Sequence, residues 1–422
     1  MLRRARAGSR KGRIGLGDGF SLDWIEGGTV TSPKGFLAGA VYAGLKTPGP
    51  DKKDVGVLLA EVPCTAAGVF TTNKVAAAPV VVSRERVRLG RARGVVFNAG
   101  NANAATGEDG LHRALQMAEL AGARFGVPAE ELLIASTGVI GVPLPIEKVG
   151  DGLRRLELRA DGGHDAAQCM ITTDTRTKEA AVAVSGPGFS FRIGAVAKGA
   201  GMIHPNMATM LCFVTTDAAV DSVFLDKALR RAVDVSFNMI SIDGDMSTND
   251  TVLVLANGLA GTPALVAGTR GGEAFESALT EACIRMAKAI AADGEGATRL
   301  IEVVVEGAES ERDARLAARA IVSSNLLKAA VYGGDPNWGR VACAAGYSGA
   351  QVDESMLDIT IAGFPTLRRG RVVSFDARAA SEALRRPEVR IVVDLNLGSH
   401  RATAWGCDLT EEYVAVNSKY TT

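Results

Sequence analysis

Long apolar runs are missing from this 422-residue sequence, and their absence argues against a membrane-spanning protein. The longest instructive uncharged stretch, Thr251 to Thr269, is interrupted by Asn257, Gly258, Gly261, Pro263 and Gly268. It reads as a strand followed by a loop, because a span needs ~20 apolar residues in succession. An excess of one charge is also missing. Lys+Arg and Asp+Glu number 47 each, so the formal net charge is zero. The chain therefore lacks the basic field of a nucleic-acid binder.

Clustered cysteines are absent as well. Cys64, Cys169, Cys212, Cys283, Cys343 and Cys407 are far apart, with no CxxC and no His/Cys spacing of the zinc type. Most lie within apolar runs, which predicts buried free thiols in a reducing cytoplasm. The four histidines, His112, His164, His204 and His400, are isolated and form no HExxH, so no metal is expected.

What is present is the material of an ordinary soluble globular protein. Hydrophobic residues make up 47% and charged residues 22%, enough for a core and a solvated surface. The 49 glycines with only 5% aromatics predict many tight turns and closely packed backbones. The length exceeds one typical domain of roughly 100–200 residues, so two or three lobes or one large unit is expected. Arg3, Arg4, Arg6, Arg10, Lys11 and Arg13 give the N-terminus six basic groups, and no apolar segment of a secretory signal follows. Residues 1–26 read as a disordered basic tail.

Strand-like and helix-like runs alternate, which predicts a mixed α/β protein. Val55–Leu59 reads as a buried strand, and so does Val80–Val82 after Pro79. Gly94–Phe97 reads as a short strand ending in the turn-rich Asn98–Asn103. Leu111, Leu115, Ala118 and Gly122 recur at helical spacing, as do Phe275, Leu279, Cys283, Met286 and Ile290. Leu300–Val305 and Ile391–Leu395 read as late strands.

The segment from Lys198 to Asp217 is the most informative. Pro205 and Asn206 make a turn, Met207-Ala208-Thr209 follows, and Met210–Val214 is a continuous apolar run typical of a buried strand. By position, Thr209 reads as a β-former at a strand start. A second reading is chemical. Cleavage of the Ala208–Thr209 bond by the Thr209 hydroxyl would make Thr209 an N-terminus. Its α-amine, with a reference pKa of about 7.7–8.0, could then serve as base for its own hydroxyl.

The segment resembles the self-cleavage region of the ornithine acetyltransferase family, the glutamate N-acetyltransferase (ArgJ) enzymes. The resemblance extends over Gly68–Lys74 (GVFTTNK), Asn98–Asn103 (NAGNAN), Ser136–Gly141 (STGVIG), Thr172–Asp174 (TTD), Asp293–Thr298 (DGEGAT), Asp335–Arg340 (DPNWGR) and Asn417–Thr422 (NSKYTT), in the family's order. It covers the chain from about Gly27 to the last residue.

The resemblance implies an αββα-type sandwich with a smaller C-terminal α/β lobe. It also implies self-cleavage into an α chain (27–208, behind the tail) and a β chain (209–422), sharing a core and assembled as an α2β2 heterotetramer. The implied reaction moves acetyl from N2-acetyl-L-ornithine to L-glutamate through acetyl-Thr209. Thr137 and Gly138 would form the oxyanion hole. Thr173, Lys198, Thr209, Glu295, Asn417 and Thr422 would contact the substrates. Some family members also use acetyl-CoA, which makes it a potential co-substrate. No other cofactor is implied, and neither nucleic acid nor membrane is an expected partner.

The match departs from the family at Arg299, where Lys is common, and at Ser418-Lys419, where Ala and an acidic residue are usual. Asp335–Arg340 reads as a structural turn with Trp338 packing. Two other classes compete: a self-processing N-terminal-nucleophile aminopeptidase or amidohydrolase, and a non-catalytic protein that retains the fold. The self-cleavage reading predicts two species on denaturing electrophoresis with intact-mass analysis, corresponding to residues 1–208 and 209–422. Thr209→Ala should yield one species of 43.8 kDa. A wild-type chain that stays whole at that mass refutes self-processing.

Overall fold

The computed structural model describes residues 13–16, 19–47, 49, 52–204 and 210–419, with side chains from residue 19 onward. Residues 205–209 and 420–422, which include Ala208, Thr209 and Thr422, lie outside the described residues. In chain order the strands are β1 (Arg13–Leu16), β2 (Phe20–Ile25), β3 (Phe36–Val41), β4 (Val55–Phe70), β5 (Arg91–Asn101), β6 (Leu132–Val139), β7 (Lys178–Gly186), β8 (Phe189–Lys198), β9 (Leu211–Thr216), β10 (Ile240–Ser241), β11 (Thr251–Ala256), β12 (Leu300–Ala308), β13 (Asp358–Ile361), β14 (Phe364–Arg368), β15 (Arg371–Val372), β16 (Glu388–Asp394) and β17 (His400–Cys407). The helices are α1 (Ala78–Val87), α2 (Gly107–Phe125), α3 (Ile146–Arg155), α4 (Gly163–Met170), α5 (Ser222–Asp234), α6 (Arg270–Ala291), α7 (Glu311–Val322), α8 (Asn325–Gly333), α9 (Trp338–Gly346), α10 (Ala377–Ala383) and α11 (Glu411–Lys419).

The first sheet runs β1-β2-β7-β8-β9-β11-β4-β5-β6, with β3 also on β4. Its continuity depends on the 16-residue β4. Residues 55–59 of β4 pair with β3 and β5, residues 65–70 pair with β11, and the β5 register shifts between Leu59 and Cys64. In a flat sheet β5 and β9 would be three strand spacings apart, about 14 Å. Instead the Phe97 and Phe213 ring centroids are 5.2 Å apart. The sheet therefore folds back on itself at β4 and makes two facing layers.

Strand alternation assigns each layer its faces. Leu58, Phe97, Phe213 and Leu253 point between the layers into one core. Val57 and Val96, their neighbours in sequence, point outward against Met117 and Ala121 of α2 and Leu153 of α3. On the opposite outer face, Ile193, Val214 and Val254 pack against Phe224 of α5 and Phe275 of α6. Helix, strand layer, strand layer and helix make the expected αββα sandwich.

The smaller lobe is a seven-stranded sheet, β10-β17-β12-β16-β13-β14-β15, with α7 packed on β12 and β17. Its apolar face joins the core of α5 and α6 without a break. Residues before 204 and after 210 also share ladders, β8 with β9 and β4 with β11.

Several sequence expectations need correction. Val80–Val82 is the body of α1, not a strand. Pro79 sits in the first helical turn, where its missing N–H costs nothing, and Ser83 Oγ anchors the helix to Ile134 O at 2.7 Å. β5 continues through Asn98–Asn101, which was expected to be turn. In α2 the buried face is Gly110, Ala114, Met117, Ala118, Ala121 and Gly122, whereas Leu111 and Leu115 are 38% and 36% exposed. Part of the segment read as a tail is ordered: β1 and β2 join the sheet, and Phe20 and Leu22 are buried. Hydrophobic side chains within a basic-looking leader decide that outcome; residues 1–12 lie outside the described residues. Cys343 is exposed, whereas the other five thiols are buried and free.

Phe213→Ala should lower unfolding free energy by about 3–5 kcal/mol in urea titrations, because it opens a cavity between the two layers. Leu111→Ala on the exposed side of α2 should stay within about 0.5 kcal/mol of wild type.

Candidate active site

The tips of β5 and β6 form one wall of a cavity of about 270 Å³. Their parallel pairing becomes irregular at Gly100 and Asn101, and asparagine side chains satisfy the backbone there. Asn98 Nδ2 donates to Asn101 O at 2.8 Å, and Asn101 Nδ2 donates to Val142 O at 3.0 Å. From across the sheet, Asn249 Nδ2 donates to Ala102 O at 2.7 Å and to Ser136 O at 2.8 Å. Gly138 has φ +133°, and a Cβ there would lie 2.3 Å from Gly100 C. Only glycine permits this approach of the two strands. Thr137 and Gly138 belong to the end of β6.

Lys198, the last residue of β8, is 3% exposed. Its ammonium donates to Thr172 Oγ1 at 2.8 Å and to Thr137 Oγ1 at 3.3 Å. A threonine oxygen that accepts from an ammonium keeps its own O–H to donate elsewhere. Asp174 Oδ2 lies 3.9 Å from Lys198 Nζ. Asp174 Oδ1 accepts from Gly199 N at 2.7 Å and from Lys178 Nζ at 2.6 Å. Lys178 Nζ also donates to Asp293 Oδ2 at 2.6 Å. The result is a buried chain of alternating charge, Asp293–Lys178–Asp174–Lys198, ending on the Thr137 hydroxyl.

The charges shift as this arrangement requires. Burial pushes the Asp174 carboxyl up, but Lys198, Lys178 and the Gly199 N–H outweigh it and hold the group at about 2. Burial lowers the Lys198 ammonium from its ordinary value, with Lys178 adding to the effect and Asp174 and Glu295 opposing it.

Glu295 faces this group across the cavity. A Cβ on Gly201 would come within 2.6 Å of both Glu295 carboxylate oxygens, so a bare glycine lets the carboxylate lie flat on the loop. Asn417 Nδ2, from α11, donates to Glu295 Oε2 at 2.8 Å. Thr137, Gly138, Thr173, Lys198, Glu295 and Asn417, six residues that the sequence singled out, all line this one cavity.

Thr209, Ala208 and Thr422 lie outside the described residues, but the chain on either side of 205–209 is held at the cavity. Asp243 accepts from Met202 N at 2.5 Å and from Ile203 N at 2.8 Å, and both Met202 and Asp243 line it. Asp250, next to the lining residue Asn249, accepts from Met210 N at 2.9 Å. Burial drives the Asp250 carboxyl well above its ordinary value and raises that of Asp243.

The profile of the ArgJ family matches residues 37–422. The chain belongs to the ArgJ family. The "Arginine biosynthesis bifunctional protein ArgJ" of Symbiobacterium thermophilum is 54% identical over 403 residues, 95% of this chain and 100% of that protein. The protein of the same name from Dehalococcoides mccartyi is 50% identical over 402 residues, 95% of this chain and 99% of its own. A crystal structure of the Bacillus halodurans protein of that name is 45% identical, with a TM-score of 0.49, and covers 49% of this chain and 98% of that one.

Sequence reasoning gave no role to the buried polar residues that tie this ArgJ chain's cavity together. Asp174 and Asp293 fell inside quoted strings but had no role, and Asp243 and Asn249 were not singled out. The available signal was the spacing of Asp174 and Lys178 around a strand start. Two residues do not join the cavity. Arg299, where the family commonly has Lys, donates to Tyr332 O at 3.0 Å and pairs with Asp408 at 3.2 Å, so the difference is absorbed structurally. Trp338 begins α9, whose first turn Asn337 caps through Arg340 N at 3.1 Å. Among the described residues, no three His, Cys, Asp or Glu side chains are grouped as metal ligands.

Asp174→Asn leaves two buried ammonium groups short of a partner and should cost about 3–5 kcal/mol in denaturant titrations at pH 7. The acid dependence has a definite sign. The folded carboxyl ionises at about 2 against an ordinary 3.8, so its contribution is complete above the ordinary value. It drains as pH falls through about 2. Wild type should lose about 2 kcal/mol across that window, and Asp174→Asn should lack this component.

Proposed function

We propose that this ArgJ-family chain is a self-processing acyltransferase of arginine biosynthesis that transfers acetyl from N2-acetyl-L-ornithine to L-glutamate through an ester on Thr209. The observation that carries the reading is the single cavity where an oxyanion pair, a buried ammonium and a carboxylate–amide edge converge. Its small volume suits an amino acid.

Lys198 meets the α-carboxylate that both substrates share. Glu295, steadied by Asn417, meets the side-chain ammonium of acetylornithine. Thr173 borders the same space. Thr209, freed by cleavage after Ala208, uses its α-amine as base. Its Oγ bonds to the acetyl carbon, the C–N bond breaks, and the proton leaves on ornithine's amine. Glutamate's α-amine then attacks the ester, the C–O bond breaks, and the proton returns to Thr209. Both steps develop an oxyanion, which the Thr137 hydroxyl and Gly138 N–H stabilise. Thr422, at the chain's end, completes the substrate contacts.

The two chains remain joined because β9 and β11 lie between β8 and β4 in one sheet. We assign an α2β2 assembly by the same family reasoning. No described helix is long and apolar enough to cross a membrane, and buried free thiols suit a cytoplasmic site.

Incubation with acetyl-labelled N2-acetylornithine and glutamate should give labelled N-acetylglutamate. Thr137→Val should lower kcat by about 10²–10³. Labelled free acetate without acetylglutamate would instead identify a hydrolase, and no turnover with an intact chain would identify a non-catalytic relative.

A further inference from the structure

One wall of the small cavity is thin. A second cavity, about 1100 Å³, lies between the end of β4 with its following loop, α1 and α5. Thr71–Asn73 line the large cavity, and Met246 and Ser247 line the small one. The two sets touch. Thr71 Oγ1 donates to Ser247 O at 2.7 Å, Asn73 Nδ2 to Met246 O at 3.1 Å, and Thr72 Oγ1 to Met246 Sδ at 3.5 Å. Met246 therefore stands in the partition between about 270 Å³ of space and about 1100 Å³.

The segment from Met246 to Asn249 is tied on both sides. Thr71 and Asn73 hold it to the loop after β4. Asn249 Nδ2 holds it to Ser136 O at 2.8 Å and to Ala102 O at 2.7 Å, next to Thr137 and Gly138. With the backbone fixed, the Met246 side chain decides how thick the partition is. A thioether side chain with three rotatable bonds fills an irregular gap, and here the Thr72 hydroxyl fixes it as a weak acceptor.

Chemistry assigns the polar walls first. Lys198 with Thr172 makes one, and Glu295 with Asn417 makes another. The methyl of an acetyl group needs an apolar wall. Among the described lining residues, the aliphatic and thioether side chains are Ile140, Met202 and Met246. Met202 N is bonded to Asp243, on the loop where Gly201 lies under Glu295, so it belongs to the carboxylate end. Ile140 packs against the core between the two strand layers. Of the three, Met246 is the one bonded to residues that line the large cavity.

We propose that Met246 sets the length of the acyl group this chain transfers, by closing the small cavity behind the methyl of the acetyl ester. This rests on the acyl-transfer reading above and deepens it. The bonds made and broken are those of that reading; the length of the acyl chain is what Met246 restricts. An acyl chain longer than acetyl meets the Met246 side chain. Shortening that side chain opens the small cavity toward the large one, where Val69, Phe70 and Val81 offer apolar surface to the added methylenes.

Transfer assays on the full protein, with glutamate and N2-acetyl-, N2-butyryl- or N2-hexanoyl-L-ornithine, compare kcat/KM across chain length. Wild type should favour acetyl steeply, because one misplaced methylene changes kcat/KM by about tenfold or more. Met246→Ala should raise the hexanoyl-to-acetyl ratio by about tenfold or more. Met246→Val, a milder truncation that serves where the alanine variant folds poorly, should raise the butyryl-to-acetyl ratio. Met246→Leu, of similar volume, should keep the wild-type ratios. A merely structural role would lower every substrate alike and leave the ratios where they are. Unchanged ratios in both truncations, a shift in Ile140→Ala as large as that in Met246→Ala, or a wild type that transfers hexanoyl as well as acetyl would each overturn the proposal. Failure of wild type to pass acetyl from acetylornithine to glutamate would instead overturn the acyl-transfer reading, so the two failures are separable.

Discussion

The buried series Asp293–Lys178–Asp174–Lys198 is the constraint on which the site depends. Ions removed from water lose several kcal/mol of hydration each, and only close, well-bonded partners restore it. Here Lys178 sits 2.6 Å from both flanking carboxylates, and Asp174 takes a further backbone N–H. The series ties together the loop before β7, the end of β8 and the turn after α6. Its terminal ammonium reaches the Thr137 hydroxyl on β6. A displacement of any of these elements leaves a charge unpaired, so the ion series holds the Thr137 hydroxyl and the Lys198 ammonium at one spacing.

The folded-back sheet makes that convergence geometrically available. Because β4 carries the chain from one layer to the other, β6 and β8 face each other across a core. The small lobe contributes differently: the turn after α6 delivers Glu295, and α11 brings Asn417 to it. Glycines mark the closest approaches, Gly138 against Gly100 and Gly201 under Glu295. They leave space where a Cβ would push the two strands apart or displace the Glu295 carboxylate.

Periodicity was a good guide where one face alone is buried. The α6 stripe from Phe275 to Ile290 is buried throughout, as its spacing predicts. It failed where local signals were short or ambiguous. Val80–Val82 is three β-branched residues in a helix, because packing of α1 on β6 overrides their propensity. Asn98–Asn101 resembles a turn but is strand, because tertiary hydrogen bonds to the asparagine amides satisfy an irregular ladder. Leu111 and Leu115 fit a helical stripe, yet the buried face is the small-residue one, where α2 approaches its neighbours closely.

The candidate site divides along the same line. Six of its lining residues were legible because unusual strings such as STGVIG, DGEGAT and the terminal NSKYTT carry them, and such strings resemble one family in order. Lys198 and Glu295 as individual letters would have read as surface charges. The sequence by itself determined the residue types, the αββα class through family resemblance, and the absence of a global charge field. Only the tertiary structure decided that Lys198 is buried and that Asp174 and Asp293 balance the buried ammonium groups. The physical reason is that the Lys178–Asp293 pair joins charges 115 residues apart and has no local signature; it arises only when the folded sheet removes them together from water.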